Sequence, residues 1–154
     1  MTALDPHEQK CLADIEQYGC HILHIMEGDG YPPFSYSVGI NRSSDAPELI
    51  VIGLSRELSH NIINEYCHRA RTGQRYQAGD VGEEFLDGFS CHFRKVAREH
   101  YPWHFGWNLW LYDGPQFEAL QLVYPDTRGI WPWQVPEDDP FRRWQPLLDV
   151  SGTA

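Results

Sequence analysis

Apolar and polar positions alternate from Phe34 to Ile40. Phe34, Tyr36, Val38 and Ile40 share one face of an extended chain, and Ser35, Ser37 and Gly39 share the other. Asn41 to Pro47 predicts a polar loop. Leu49 to Leu54 is then nearly continuous apolar sequence, which predicts a central strand buried on both faces. Upstream, Cys11, Leu12, Ile15 and Tyr18 recur at helical spacing behind Asp5-Pro6, a capping acid and a proline suited to the first helical position. Gly19 ends that helix. Cys20 to Met26 predicts a strand, and Glu27-Gly28-Asp29-Gly30 carries turn chemistry that joins it as a hairpin to the strand starting at Phe34.

Downstream, Ser55 is positioned to cap a helix reaching about Thr72, with Leu58, Ile62, Tyr66 and Ala70 as its apolar stripe and Ile63 and Cys67 widening it. Gly73 to Gly88 predicts a long, acidic, functional or mobile loop. Phe89 to Val96 alternates as a fourth strand. Between Arg98 and Tyr112, Trp103, Trp107, Trp110 and Leu111 fall at helical spacing and predict a short helix. Phe117 to Tyr124 predicts a fifth strand. The remainder to Leu148 is rich in Pro and Trp, with little periodicity, and predicts an irregular tail anchored by its aromatics; Ser151 to Ala154 should fray. These elements predict an α+β fold in one domain over 1–154, its irregular aromatic-rich tail spanning 125–154. The sheet is mostly antiparallel with five to six strands, or a half-open barrel, with flanking helices.

Composition narrows the partners. The formal net charge of −10 argues against nucleic acid and against an anionic membrane surface, both of which demand Lys and Arg. Aromatic residues make up 14%, with six Trp and eight Tyr, side chains used for packing and for gripping ligands or partners. Cys11, Cys20, Cys67 and Cys91 lack C-x-x-C spacing and lie in core-like patterns, so reduced buried thiols in a cytoplasmic protein are expected. No apolar run approaches the ~18 residues of a membrane span.

Two segments carry a family resemblance. F-S-Y-S-V-G-I (Phe34 to Ile40), a polar loop, then P-E-L-I-V-I-G-L-S (Pro47 to Ser55) leading into a helix is similar to the bacterial domain of unknown function 4262 family. V-Y-P-D-T-R-G-I-W-P-W (Val123 to Trp133) resembles that family's second signature, and the likeness covers roughly residues 10 to 148. Ser37 stands where Thr is more usual and keeps the hydroxyl. The layout of hairpin, buried strand and helix also resembles the first half of the flavin-binding split barrels, which implies a flavin facing the strand of small hydroxylated residues.

The candidate chemistry gathers on that strand. Ser35, Ser37 and Gly39 form a small polar face either open to a ligand or packed against a neighbouring element. On the open reading, bulk added at Gly39 blocks the ligand and spares the fold; on the packed reading it overpacks an interface. Tyr36 and Glu48 complete the proposed ligand-binding set. Glu48 begins a buried strand and so needs a partner, for which Arg42, Arg128 or a serine hydroxyl are the candidates. His92, His100 and His104 form an H-x7-H-x3-H arrangement of metal-ligand type, with Pro102 interrupting a continuous helical face. His21 and His24 alternate to opposite strand faces. Asp126 before Thr127-Arg128-Gly129 reads first as a turn-pinning residue. No nucleophile elbow, P-loop, dinucleotide fingerprint or H-E-x-x-H motif is present, so no catalytic residue is assigned. Three functions compete: binding of a small molecule, a flavin or nucleotide; a non-enzymatic module for a partner protein or a second copy of itself; and, third, a metalloenzyme using the three histidines.

Overall fold

The structure is a computed structural model that describes residues 4–148. The expected fraying at Ser151 to Ala154 falls outside them. Helix α1 (Pro6–Tyr18) starts as the sequence predicts: the Asp5 carboxylate accepts the Glu8 amide at 2.8 Å and the Glu8 carboxylate accepts the Asp5 amide at 2.9 Å. It ends at Gly19, whose left-handed backbone sends its N–H to the Ile15 carbonyl. Strands β1 (His21–Ile25) and β2 (Phe34–Val38) form the expected antiparallel hairpin, with His24 opposite Ser35. Gly39, at φ +102°, ends β2, and helix α2 (Ile40–Ser44) follows where a loop was expected.

Strand β3 (Glu48–Ile52) is buried throughout. Helix α3 (Arg56–Arg71) is capped by Ser55 and buries the predicted stripe from Ile62 to Ala70, while Leu58 lies exposed. The expected long loop from Gly73 to Gly88 contains strand β4 (Val81–Leu86), which turns into β5 (Phe89–Lys95). Its alternation is disguised because the register shifts between Gly82 and Leu86 and Glu84 adopts φ +64°. The Trp-rich stretch is helical as predicted: a 3₁₀ turn over Arg98–His100, α4 (Tyr101–His104) and α5 (Gly106–Tyr112). Strand β6 (Ala119–Val123) precedes a tail holding a 3₁₀ turn at Pro132–Gln134 and α6 (Pro140–Trp144).

The strands form one open sheet in the order β1-β2-β3-β6-β5-β4. It is mostly antiparallel, as expected, and mixed in that β3 runs parallel to β6, with Glu48 opposite Ala119. Helix α3 covers one face through Ile62, Ile63 and Tyr66, packed on Leu49, Val51, Phe93 and Leu122. Cys11 and Ile15 of α1, Tyr101 of α4 and Phe105 cover the other, over Tyr36, Val38, Ile50 and Ile52. Burial on both faces is why β3 reads as unbroken apolar sequence. The tail is fixed by glutamines as well as by aromatics. The buried Gln145 amide exchanges two hydrogen bonds with the Tyr124 backbone, and Gln121 donates to the Pro146 carbonyl and accepts from the Leu148 amide. No helix among the described residues is long and apolar enough to cross a membrane.

Candidate functional site

Ser37, Gly39 and Glu48 are brought together, but in a closed network rather than an open face. Glu48 is completely buried. One carboxylate oxygen accepts the Ser37 hydroxyl at 2.6 Å; the other accepts the Gly39 amide at 3.0 Å, the Asn41 amide at 3.2 Å and the Tyr112 hydroxyl at 2.5 Å. The serine hydroxyl is the partner the sequence offered. Arg42 contributes only its backbone N–H, to the Tyr112 oxygen, and Arg128 pairs instead with Asp126. Ser37 Oγ also accepts the Leu49 amide, closing the end of the β2–β3 ladder with a side chain. Burial pushes the Glu48 carboxyl up to about 6 against the four donors, which pull it down. Asn108 closes the network from α5 by donating to the Ser37 carbonyl at 2.8 Å, and its own Oδ1 is buried without a partner. Tyr112 and Asn108 lie 64 and 71 residues from the groups they bond. No local sequence signal could have paired them.

Gly39 packs against Ile15 of α1: a Cβ built on it would lie 2.6 Å from two Ile15 carbons. The packed reading therefore describes this position. Tyr36 is buried on the side of the sheet covered by α1 and Phe105, where its hydroxyl accepts the Trp107 amide at 3.2 Å. Ser35 is buried beneath His24, with its Oγ 2.6 Å from His24 Nδ1.

The three candidate metal ligands do not converge. The rings of His100 and His104 are 6.3 Å apart between centroids, while His92 packs edge-on against Trp131 at 4.4 Å and Trp133 at 5.5 Å. Among the described residues no group of three His, Cys, Asp or Glu side chains is placed to hold a metal ion. Asp126 pins its turn as expected, accepting the Arg128 and Ile130 amides at 2.8 and 3.0 Å.

An open concavity lies where Phe34 at the start of β2 and Ile52 at the end of β3 meet α4 and the tail. It measures about 540 Å³ and is walled by Tyr31, Pro32, Trp103 and Pro146, with His104 at its side. Tyr31 and Trp103 are 74% and 80% exposed, so both rings stand free at the rim. The Phe34 and His104 rings lie 5.1 Å apart. His104 Nδ1 faces the His100 carbonyl, which only accepts, so Nδ1 carries the proton. Burial holds the His104 pKa below its ordinary value, leaving a neutral ring with Nε2 as an acceptor. The sequence placed Trp103 only in a helical pattern; Tyr31, before β2, and Trp103 of α4 come to one concavity solely through the fold.

Comparison with known proteins adds a family and no more. No curated protein and no solved structure matches the chain. Residues 14–137 match the family described as Domain of unknown function (DUF4262), a span that takes in the β2–β3 core, the Glu48 network and the Trp131–Trp133 signature. The chain belongs to the DUF4262 family.

Proposed function

We propose that this domain binds a small planar molecule in the groove between β2, α4 and the tail, and that a flavin is the first ligand to test. The observation that carries the reading is the concave, largely apolar site flanked by the free rings of Tyr31 and Trp103. Its volume falls within the ~300–1,000 Å³ of small-molecule sites, and its few polar groups include the neutral His104 acceptor, which suits a ring N–H. The ligand thus approaches the Phe34 end of β2 rather than its serine face. Four buried free thiols support residence in a reducing cytoplasm.

Titration of riboflavin and of flavin mononucleotide, read by tryptophan fluorescence, tests this. Saturable quenching is expected, weakened about 3- to 10-fold in Trp103→Ala, as one lost aromatic stack implies. Wild-type protein without saturable quenching, or a Trp103→Ala variant titrating identically, would refute it. A second reading has its own observation: Ile25, Met26, Tyr31 and Trp103 are all exposed, and β1 is a free sheet edge. It predicts a dimer through that edge on a sizing column, and a concentration-independent monomer counts against it.

A further inference from the structure

A second recess, of about 470 Å³ and sharing no wall residue with the aromatic groove, lies between α1, β1 and the first turns of α3. In a chain of net charge −10 it gathers three imidazoles, His21, His24 and His60, together with Lys10 and Arg56. Its one carboxylate, Asp14, is already engaged by His21 Nδ1 at 2.7 Å and by Lys10 at 3.4 Å. Arg56 has no hydrogen-bond or ion-pair partner among the described residues, and neither does His24 Nε2 or the His60 ring. The His24 and His60 rings stack with their centroids 5.6 Å apart.

We propose that this recess is a binding site for a phosphate-type dianion, the headgroup of a phosphorylated small molecule. Donors from two elements converge on it: His24 from β1, and Arg56 and His60 from α3, one turn apart on the same helix face. Separate donors reaching from different directions suit a tetrahedral dianion better than a planar carboxylate. Ser35 is a positioning residue. Its buried Oγ holds His24 Nδ1 and leaves Nε2 as the free ring nitrogen. Ser35 does not line the recess and is not offered as a nucleophile.

The site carries its own pH signature. Around His24 stand Lys10, Asp14 and Tyr18 of α1, Cys20 and His21 at β1, Ser35 of β2, and Arg56 and His60 of α3. Burial first, then Arg56, His60 and His21, lower the His24 pKa to about 4 in the empty site. A bound dianion stabilises the protonated ring and raises that value, so binding takes up a proton. Affinity therefore strengthens as pH falls below the pKa of the liganded ring. The gain approaches tenfold per pH unit and levels off near about 4, where the empty site also protonates.

Calorimetric titration of sulfate, which remains a dianion throughout, and of acetate as a monoanion, from about pH 7.5 to about pH 5, tests the proposal. Sulfate is expected to bind in about the millimolar range, more tightly at the lower pH, with acetate much weaker. Arg56→Gln, at an exposed position, should weaken sulfate about tenfold at every pH, and His24→Gln should flatten the pH profile. No saturable sulfate binding at the lower pH, equal binding of acetate, or an Arg56→Gln variant that binds as wild type would each overturn it. Trp103→Ala should leave sulfate binding unchanged, so this site and the aromatic groove stand or fall separately.

Discussion

Replacing Glu48 by Gln isolates the cost of burying a carboxylate that has hydrogen bonds but no cation. Burial raises the Glu48 pKa from its ordinary 4.5 to about 6, so between those values the folded state holds a proton that the unfolded chain has lost. The sign follows directly. The contribution of Glu48 to stability is fully present below about 4.5 and is lost as pH rises through about 6. The gap corresponds to about 2 kcal/mol. Gln fits the same site. Its carbonyl can take the three donors from Gly39, Asn41 and Tyr112, and its amide can donate to Ser37 Oγ once that hydroxyl rotates. Denaturant unfolding of both proteins from about pH 4 to about pH 8 supplies the difference curve. All other titrating groups cancel in it. Wild type should lose about 2 kcal/mol relative to Glu48→Gln across the window, most of it between about pH 4.5 and 6.5. A flat difference would mean that the four donors offset desolvation. A rising one would mean that they exceed it, and that the network is built for the anion.

Ile50→Asp places an unpaired charge in β3, where Ile50 is fully buried, at a cost of ~3–5 kcal/mol; a variant that still melts cooperatively near the wild-type temperature would show that β3 is not central. Gly39→Val combines a β-branched residue at φ +102° with a clash on Ile15, so ~3 kcal/mol or more should be lost in denaturant unfolding, and near-normal stability would return Gly39 to the open-face reading. Asp126→Ala removes the acceptor of two turn amides and should lower Tm by a few degrees, an unchanged Tm placing those amides on other partners.

Much of the fold was legible because local chemistry and tertiary burial agree. Asp5 and Ser55 cap the two long helices as their sequences announce, and the run from Leu49 marks a strand covered on both faces. Legibility failed where backbone geometry breaks periodicity. Gly39 turns left-handed and starts α2 one residue after β2 ends, and the irregular register at Glu83 and Glu84 hides β4. The candidate site failed for a different reason. Small hydroxyl residues on a strand look the same whether they face a ligand or a neighbouring side chain, and the deciding partners sit on the neighbouring strands: Glu48 and Leu49 of β3 for Ser37, and His24 of β1 for Ser35. Ser37 is occupied twice, donating to Glu48 and accepting from Leu49, and Ser35 is occupied by His24. A hydroxyl already engaged as donor and acceptor has little left to offer a ligand. Among the described residues, the groups left unengaged include the Tyr31 and Trp103 rings, which wall one recess, and the Arg56 guanidinium, which lines the other. Free valence, not residue type, separates the groups that hold the fold from those left for a partner, and only the folded chain reveals it.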